Sequence, residues 1–296
     1  PPCVDKIIEA GIHKVIYAVK DTTLISKGDD IFKNAGIEVE FQYNAVAAQL
    51  YQDFFTAKRN GIPELTVKVS ASLDGKQATD DGESKWITNK EVKKDVYQLR
   101  HSHDAVLTGR KTVEADDPLY TTRIADGKHP IRVILSKSGK LDFNQQLFHD
   151  YASPIWIYTE NKNLKVDNSN VTIIYMEQCD IKSILKDLYQ KGIGKLLVEA
   201  GPEITSEFLQ SDHLDHLVLY FAPKIIGGSG KYQFFQTDQI VSLPDTTQFE
   251  IVNSTLIQQN IKLVSKLILL PDRINTYAFS ALIILVSINS FSSALL

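Results

Sequence analysis

The chain has 296 residues, of which 43% are hydrophobic and 23% are charged, and its formal net charge is −4 at pH 7. This length and composition allow a buried core for one large domain or two small ones, so disorder is not expected. With 32 Lys and Arg against 36 Asp and Glu, the chain lacks the basic excess typical of proteins that bind nucleic acid or anionic membranes. A small phosphorylated ligand is still compatible, because a few local cations suffice to bind it.

The cysteines and the N-terminal residues bear on where the protein works. Cys3 and Cys179 lie far apart, and two such cysteines do not make a disulfide framework. Pro1–Val4 has neither the basic nor the apolar region of a signal peptide, and the missing initiator Met indicates a fragment or a processed product. We therefore expect a cytoplasmic protein.

Residues 1–60 are the first of three zones that differ in pattern. Val15–Val19 predicts a buried strand, and Ile37–Phe41 alternates as expected for a half-exposed strand. Asn60–Pro63 supplies the Gly and Pro that end the zone. The zone thus alternates short strands with helical patterns.

Residues 61–266 form the second zone, in which strands and helices are interleaved. One predicted helix follows a capping box of Thr88 and Glu91, and another follows Asp180 as a possible cap. Apolar residues repeat at helical spacing in both helices, namely Val92, Val96 and Leu99, then Ile181, Ile184, Leu185 and Leu188. Strands are predicted at Leu65–Val69, Ala105–Leu107, Ile131–Leu135, Ile155–Tyr158, Val171–Ile174, Leu196–Val198 and Leu217–Phe221. This order favours an α/β sheet with crossover helices.

Residues 267–296 form an atypical hydrophobic tail. From Asn275 onward the sequence contains no charged residue and approaches the ~20 residues that a membrane span needs. Several Asn, Ser and Thr residues dilute this stretch and make insertion marginal. A tail anchor is one interpretation, and an aberrant end on a soluble enzyme is the one that we favour, so no membrane partner is expected.

The first stretch with potential chemistry is Lys68–Gly75, followed by Gly82–Thr88. A strand ends there in small residues, turns at an Asp-Gly pair and continues through a polar loop to Trp86 at the start of a helix. Small residues at the carboxyl end of a strand let a flat ring approach the backbone, as ligands do in open α/β sheets. The alternative is a tight loop in which Trp86 anchors the core.

The second stretch is Thr108–Pro118, in which Gly109 closes a strand and Thr112 opens a helix. Free backbone N–H groups and the positive end of the helix dipole would meet at one point, which suits a phosphate. Arg110 and Lys111 beside that point would select a phosphorylated adenosine ribose and hence NADPH over NADH. The alternative is an exposed basic pair in a loop.

The third stretch is Leu197–Leu209, in which a strand leads to Gly201 and then to a helix with Pro202 in its first turn. This arrangement predicts a second anion site, suited to a diphosphate, although neither a Walker A loop nor a GxGxxG turn is present. Glu199 at the carboxyl end of the strand would face the ligand as an acid, a base or a hydrogen-bond partner. The alternative is an ordinary capping carboxylate.

The histidines do not predict a metal site. His101 and His103 flank Ser102, while His213 and His216 lie near each other later in the chain. Neither pair has a neighbouring Cys or an HExxH frame, so solvated histidines at helix ends are expected and no metal is predicted. The absence of a GxSxG motif argues against an α/β-hydrolase.

Taken in order, these stretches resemble the reductase domain of the bifunctional riboflavin-biosynthesis deaminase/reductase family. The resemblance covers about residues 60–266 and rests on LTVKVSASLDGKQATDDGESKWIT, the helix ending in Leu99-Arg100, TVEADDPLYTTR, and VEAGPEITSEFL followed by APKIIGG. It implies a dihydrofolate-reductase-like α/β fold with a mainly parallel sheet. The run Gly109–Thr112 also resembles the NADPH-binding turn of dihydrofolate reductases.

The resemblance assigns roles residue by residue. It implies that NADPH contacts Ser70, Trp86, Thr112, Asp116 and the loop of Gly201, Pro202, Glu203, Ile204, Thr205, Ser206 and Glu207. It implies that the substrate, a ribosylaminopyrimidine 5′-phosphate, contacts Ser84, Arg100, Arg123 and Glu199. Two arginines suit a phosphate because a guanidinium can grip it with two hydrogen bonds.

Two positions depart from the family pattern. Tyr120 stands where an aliphatic residue is usual, so we expect a contact there through the backbone only. Ser136-Lys137 stands where an Asp-Ser pair is usual, which puts that cofactor contact in doubt.

Residues 1–60 resemble the rear of a cytidine-deaminase-like α/β domain. Cys3 would supply the last of three zinc ligands, but the His and Cys ligands and the catalytic glutamate are missing from the chain. Zinc deamination needs three ligands and that glutamate to activate water. Neither bound zinc nor deaminase activity is therefore expected.

The family reaction reduces the ribosyl group of 5-amino-6-(5-phosphoribosylamino)uracil to ribityl. The ribose ring must open before hydride reaches C1′, and we expect Glu199 or Lys68 to handle the proton at that step. The nicotinamide is expected over the strand end at Ser70 and Ala71, and the protein mainly orients the reactants and excludes water. The alternatives are a pterin reductase of the same fold and a non-catalytic truncated remnant. The resemblance also suggests a homodimer.

Overall fold

A computed structural model describes residues 3–19, 28–45, 47–48, 61–211, 213–236 and 246–268. They belong to two compact units, the first drawn from residues 1–64 and 179–196 and the second from residues 65–178 and 197–296. The predictions for the tail beyond Ile268 lie outside the described residues. Within the described residues, no helix combines the length and the apolar character that crossing a membrane requires.

The first unit contains a small parallel sheet. Its elements are helix α1 (Cys3–Glu9), strand β1 (Lys14–Tyr17), helix α2 (Gly28–Asn34) and strand β2 (Glu38–Phe41). Both predicted strands are confirmed, and they pair in parallel. The prediction that the first strand is buried is wrong, because Ile16 is 53% exposed.

Helix α5 (Ile181–Gln190) also belongs to the first unit and begins as predicted. The Asp180 carboxylate accepts a hydrogen bond from the Ser183 N–H at 2.9 Å, which satisfies one of the free donors at the helix start. Of the predicted apolar face, Ile184, Leu185 and Leu188 are buried.

A nine-stranded sheet dominates the described residues. Its strands are β3 (Glu64–Ser72), β4 (Ala105–Gly109), β5 (Ile131–Leu135), β6 (Ile155–Thr159), β7 (Val171–Tyr175), β8 (Lys195–Val198), β9 (His216–Ala222), β10 (Gln248–Ile257) and β11 (Asn260–Ile268). Their order across the sheet is β10-β11-β9-β3-β8-β4-β5-β6-β7. Strands β4 to β7 pair in parallel, as do β3 and β9, whereas β10, β11 and β9 pair antiparallel. The predicted α/β class with a mainly parallel sheet is confirmed.

The helices that follow strands of this sheet are α3 (Lys90–His101), α4 (Arg110–Asp116) and α6 (Pro202–Gln210), and a short 3-10 turn spans Gln146–Phe148. Strand β4 is buried along its whole length, as expected for a parallel strand covered on both faces. One core cluster consists of Val113, Ile134, Leu147, Phe148, Ile155 and Ile157. These buried apolar residues hold the carboxyl ends of the strands in fixed positions.

Helix α3 starts one residue later than predicted, because a different residue caps it. Asn89, and not Thr88, is the N-cap, and its Oδ1 accepts a hydrogen bond from the Val92 N–H at 2.9 Å. Asn is as good a cap as Thr, and a start one residue later places the helix at Lys90. Glu91 forms an ion pair with Lys94 and does not complete a capping box.

The antiparallel hairpin β10–β11 was not predicted from the sequence. Strand β10 is exposed at most positions, with Ile251 62% and Leu256 69% exposed. Its apolar residues therefore do not follow the inside–outside alternation by which strands are recognised. Strand β11 extends to Ile268 and joins the hairpin to β9.

Candidate active site

Glu199 lies at the centre of a buried group of charges. It follows β8, and its backbone N–H donates to the Leu107 carbonyl of β4 at 2.9 Å. The Arg100 guanidinium of α3 donates from Nε to Glu199 Oε1 at 2.6 Å and from Nη2 to Oε2 at 3.0 Å. Lys68 Nζ of β3 lies 3.7 Å from Oε2. Three predicted site residues, distant in sequence, thus meet at the end of β8.

The charges in this group shift one another's pKa values. Burial alone would raise the pKa of Glu199, but the neighbouring Arg100 and Lys68 cations overcome it and lower the pKa below its usual range, so the carboxylate is ionised. Burial lowers the pKa of Lys68, and Glu199 offsets this only in part. Lys68 is therefore a stronger acid than an exposed lysine.

Tyr120 supports this group in a way that the sequence did not predict. The side chain is buried, and its hydroxyl donates to Thr108 Oγ1 at 2.7 Å and lies 3.3 Å from the Glu199 carbonyl oxygen. Its ring centroid lies 5.2 Å from the Arg100 guanidinium carbon. Burial and the Glu199 charge raise the pKa of Tyr120, so the phenol stays neutral. The sequence predicted only a backbone contact at Tyr120 and did not predict that its side chain contacts Thr108 and Arg100.

Ser84 and Asp116 form a second link into the same site. Ser84 Oγ donates to Asp116 Oδ1 at 2.6 Å, which joins the loop before α3 to the end of α4. The Asp116 charge opposes, in small part, the lowering of the Lys68 pKa by burial, because the two side chains are close enough to interact. On β3, Ser70 occupies the same half-buried face as Lys68, whereas Val67 and Val69 are buried.

The starts of α4 and α6, at which the two anion sites are predicted, lie next to each other, and we call this pair of helix starts the cradle. Gly109 and Gly201 are the two N-cap residues, and the Gly201 N–H donates to Thr112 Oγ1 at 3.2 Å. A Cβ on Gly109 would collide with the end of the Ile204 side chain. Helix α4 begins at Arg110, so the prediction that Thr112 opens it is wrong by two residues.

Two cations at the cradle are paired with carboxylates. Arg110 Nη1 donates to both carboxylate oxygens of Glu114, at 2.9 and 2.7 Å. Lys111 Nζ of α4 donates to Glu203 Oε2 of α6 at 2.7 Å. The second pair is largely exposed, so it contributes little to the stability of the fold.

Within the predicted loop of residues 201–207, the hydroxyl groups are used inside the protein. Thr205 Oγ1 donates to the Ala200 carbonyl at 3.2 Å, and Ser206 Oγ donates to the Pro202 carbonyl at 2.6 Å. Ser206 Oγ also accepts from the Gln236 N–H at 2.7 Å. These side chains hold the helix start in shape, and Glu207 is exposed.

Trp86 is an exposed ring held in an unusual backbone conformation. Its φ angle is 72° and its exposed fraction is 63%, so the alternative of a core anchor is wrong. The helix that it was expected to start begins at Lys90. Lys93 Nζ lies 3.0 Å from the ring centroid, and Lys224 Nζ donates to the Trp86 carbonyl at 2.9 Å. Lys93 thus contacts the exposed ring, and Lys224 fixes the backbone of the same residue.

The loop after β3 is fastened to the loop after β9. The Asp74 carboxylate accepts hydrogen bonds from the N–H groups of Ile226 and Gly227 at 3.0 and 2.7 Å. The hydrogen bond from the Ser72 hydroxyl has the largest effect on the pKa of Asp74, and together with these two backbone donors it lowers that pKa to about 2. Asp80 accepts from the Ser229 N–H in the same way. The APKIIGG segment is thereby joined to the first predicted stretch.

Arg123 lies near the charged group of Lys68, Arg100 and Glu199 but does not take part in its ion pairs. It is exposed, with φ of 49°, and its guanidinium carbon lies 5.6 Å from the Tyr97 ring centroid. The Arg100 guanidinium lies 5.9 Å from the same ring. Tyr97, which the sequence did not single out, thus lies between the two predicted substrate arginines.

The histidines and Ser136 have separate roles. His103 is buried, with Nε2 3.1 Å from Thr66 Oγ1 and Nδ1 2.7 Å from the Leu99 carbonyl, so the expectation of a solvated residue is wrong. Across the described residues, no group of three or more His, Cys, Asp or Glu could hold a metal ion. Ser136 follows β5 and is buried, and its hydroxyl has no hydrogen-bond partner among the residues that the structure describes.

Residues 63–263 match the family model described as the RibD C-terminal domain. The riboflavin biosynthesis protein RibD of Bacillus amyloliquefaciens is 34% identical over 276 residues, which is 90% of this chain and 74% of that protein. The RibD of Aquifex aeolicus is 37% identical over 234 residues, which is 77% of this chain and 66% of that protein.

A solved structure gives the same result. The deaminase/5-amino-6-(5-phosphoribosylamino)uracil reductase of Thermotoga maritima superposes with a TM-score of 0.78 at 31% identity. The match covers 90% of this chain and 75% of that one.

Proposed function

The chain belongs to the RibD C-terminal domain family, and from this membership we infer that it catalyses the reductase step of riboflavin biosynthesis. In that step the ribosyl side chain of 5-amino-6-(5-phosphoribosylamino)uracil is reduced to the ribityl side chain. The observation that carries the proposal is the buried group of Lys68, Arg100 and Glu199 within the matched segment.

For the cofactor we propose NADPH, and two features of the protein fit it. The starts of α4 and α6 lie next to each other, neither has a side-chain cap, and the free N–H groups of helix starts suit a diphosphate. The Ser136 hydroxyl is buried and, within the described part of the chain, unpartnered, and it follows the carboxyl end of a parallel strand, where dinucleotides bind in such sheets. Arg110 and Lys111 would hold the additional phosphate, and NADPH, when bound, supplies the hydride.

The remaining steps are proposed for the protein's own residues. Ring opening of the ribose requires proton transfer at the ring oxygen, and the Lys68 ammonium is suited to donate this proton because burial lowers its pKa. Glu199 stays ionised and stabilises positive charge that develops near C1′. Arg100 fixes the Glu199 carboxylate by two hydrogen bonds, so that its orientation is set before the substrate binds.

The domain organisation is also proposed from the sequence pattern. We propose the division into a deaminase-domain remnant at residues 1–60, the reductase domain at residues 61–266 and a tail from residue 267. Of the three ligands that the deaminase zinc needs, residues 1–60 would supply Cys3, so we propose that these residues by themselves neither hold that zinc nor deaminate. We also propose that the protein works in the cytoplasm and forms a homo-oligomer.

The test is a kinetic assay of NADPH oxidation with 5-amino-6-(5-phosphoribosylamino)uracil, repeated with NADH and with dihydropterin-type substrates, beside a thermal melt. We expect a cooperative melt, oxidation that depends on the ribosylaminopyrimidine and a preference for NADPH. A cooperative melt with turnover of the pterin alone would favour the pterin reductase. A folded protein without any turnover would contradict the proposed activity, and a chain without a cooperative melt would match the truncated remnant.

A further inference from the structure

Three cationic side chains, Lys93, Arg100 and Arg123, lie near the rings of Trp86 and Tyr97, and of the three Arg100 is paired with a carboxylate, Glu199. Lys93 and Arg100 lie on α3 at positions i and i+7, with Tyr97 between them at i+4, so all three share one helix face. Arg123 contacts Tyr97 from outside the helix. Arg100 is occupied by Glu199, and its Nη1 donates to the Thr121 carbonyl at 3.2 Å.

Lys93 and Arg123 differ from Arg100 in their surroundings. In the part of the chain that the structure describes, neither forms an ion pair with a carboxylate. They are close enough for Arg123 to contribute, after burial, to the lowered pKa of Lys93. Both cations instead rest on aromatic rings, Lys93 on Trp86 and Arg123 on Tyr97. Two neighbouring cations without a carboxylate repel each other, and an anion between them would remove that repulsion.

We propose that Lys93 is a specificity-determining residue that, together with Arg123, binds the phosphate of the phosphorylated substrate. This rests on the proposed function, since it assigns the phosphate of that same substrate to one edge of the site. Arg100 orients Glu199 through two hydrogen bonds, and Lys93 adds a positive charge that is not already paired with a carboxylate among the described residues. The contact between Lys93 and the Trp86 ring holds the ammonium in place and is weaker than a charge-assisted hydrogen bond to phosphate.

The experiment compares Lys93→Met with Lys93→Arg and with Lys94→Met in the full chain. Lys94 is the adjacent exposed lysine, paired with Glu91, and serves as the matched control. Each protein is assayed with the 5′-phosphorylated ribosylaminouracil and with its dephosphorylated form. For Lys93→Met we expect KM for the phosphorylated substrate to rise about tenfold or more, with kcat within about twofold. The dephosphorylated substrate should be used equally by the variant and the wild type, and Lys93→Arg should restore most of the affinity.

An unchanged KM for the phosphorylated substrate, or an equal loss for both substrates, would overturn the proposal. A separate binding measurement with ribose 5-phosphate and without cofactor distinguishes this failure from failure of the proposed function. If the wild type has no reductase activity but binds ribose 5-phosphate more tightly than Lys93→Met does, the activity assignment fails and the phosphate subsite stands. If both proteins bind ribose 5-phosphate equally, the subsite is wrong whatever the activity.

Discussion

Arg100 and Glu199 are joined by two hydrogen bonds although they lie 99 residues apart in the sequence. The side chains are 14% and 8% exposed, so solvent screens this ion pair only weakly. The pair ties helix α3 to the end of strand β8. It therefore contributes to both the stability of the fold and the geometry of the proposed site.

Replacing Arg100 separates these two contributions. Arg100→Ala leaves Glu199 buried with Lys68 as its remaining cationic partner, and we expect a loss of about 3 kcal/mol in the free energy of unfolding. Arg100→Lys keeps the charge but loses the planar fork, so it should lose less stability and still lower kcat. Urea denaturation and steady-state kinetics measure the two effects. Equal stability of Arg100→Ala and the wild type would show that the ion pair does not stabilise the fold.

Glu199→Gln tests the role of the carboxylate in turnover. The amide keeps the shape but removes the negative charge beside C1′ of the substrate, so kcat should fall about 100-fold. NADPH affinity, measured by fluorescence titration, should stay within about twofold because the cofactor cradle is built from other residues. The control is Glu91→Gln, which alters a surface ion pair on α3. Wild-type turnover in Glu199→Gln would remove Glu199 from the mechanism.

The lowered pKa of Glu199 predicts how stability depends on pH. Because the folded protein holds this carboxylate ionised, its contribution is present above the ordinary glutamate pKa of about 4.3 and is lost as the pH falls through the lowered value. The stability difference between the wild type and Glu199→Gln should therefore be largest near neutral pH and shrink in acid. Unfolding curves over this pH range check it, and a difference that grew towards acid would contradict the assignment.

Tyr120 should be needed for the position of its neighbours. Tyr120→Phe removes the hydrogen bond to Thr108 and should lower the free energy of unfolding by about 1 kcal/mol. Tyr120→Leu also removes the ring beside Arg100, so we expect a further loss of stability and a lower kcat. Tyr175→Phe, on an exposed tyrosine of β7, is the control for both. Full stability of Tyr120→Leu would mean that the site does not depend on the ring.

Arg110 and Lys111 should determine the choice between NADPH and NADH. Arg110→Gln and Lys111→Gln each remove a cation that can bond to the additional phosphate, so KM for NADPH should rise about tenfold. KM for NADH should not change. Lys128→Gln is the matched control, since Lys128 is an exposed lysine paired with Asp104. An equal rise for both cofactors would show that the two residues do not discriminate between them.

Much of the sheet could be predicted from the sequence, for a physical reason. Strands such as Ile131–Leu135 are covered on both faces, so their sequences are nearly continuous apolar runs with sharp limits. The position of Glu199 at a strand end followed from the same pattern. The hairpin β10–β11 was not predicted, because exposed strands need no regular alternation of apolar and polar residues. The start of α3 was misplaced by one residue, because Thr88 and Asn89 are both good capping residues.

The contacts of the candidate site depend on tertiary structure and could not be read from local patterns. Nothing near Arg100 in the sequence indicates that Glu199 occupies its fork, and nothing near Tyr120 indicates that its hydroxyl reaches Thr108. Trp86 shows the same limit. An aromatic residue before a helix is as compatible with a core position as with the exposed position that Trp86 has here, next to Lys93.

The hydrogen bond from Gly201 to Thr112 has a consequence for how the protein survives in a cell. The two residues lie 89 positions apart, so the cofactor site that we propose across both helix starts exists only in the folded chain. By mass action, a ligand at one hundred times its Kd adds about 2.7 kcal/mol to the free energy of unfolding. A well-supplied pool of reduced dinucleotide would thus protect the enzyme from proteolysis, and starvation for it would shorten the enzyme's lifetime.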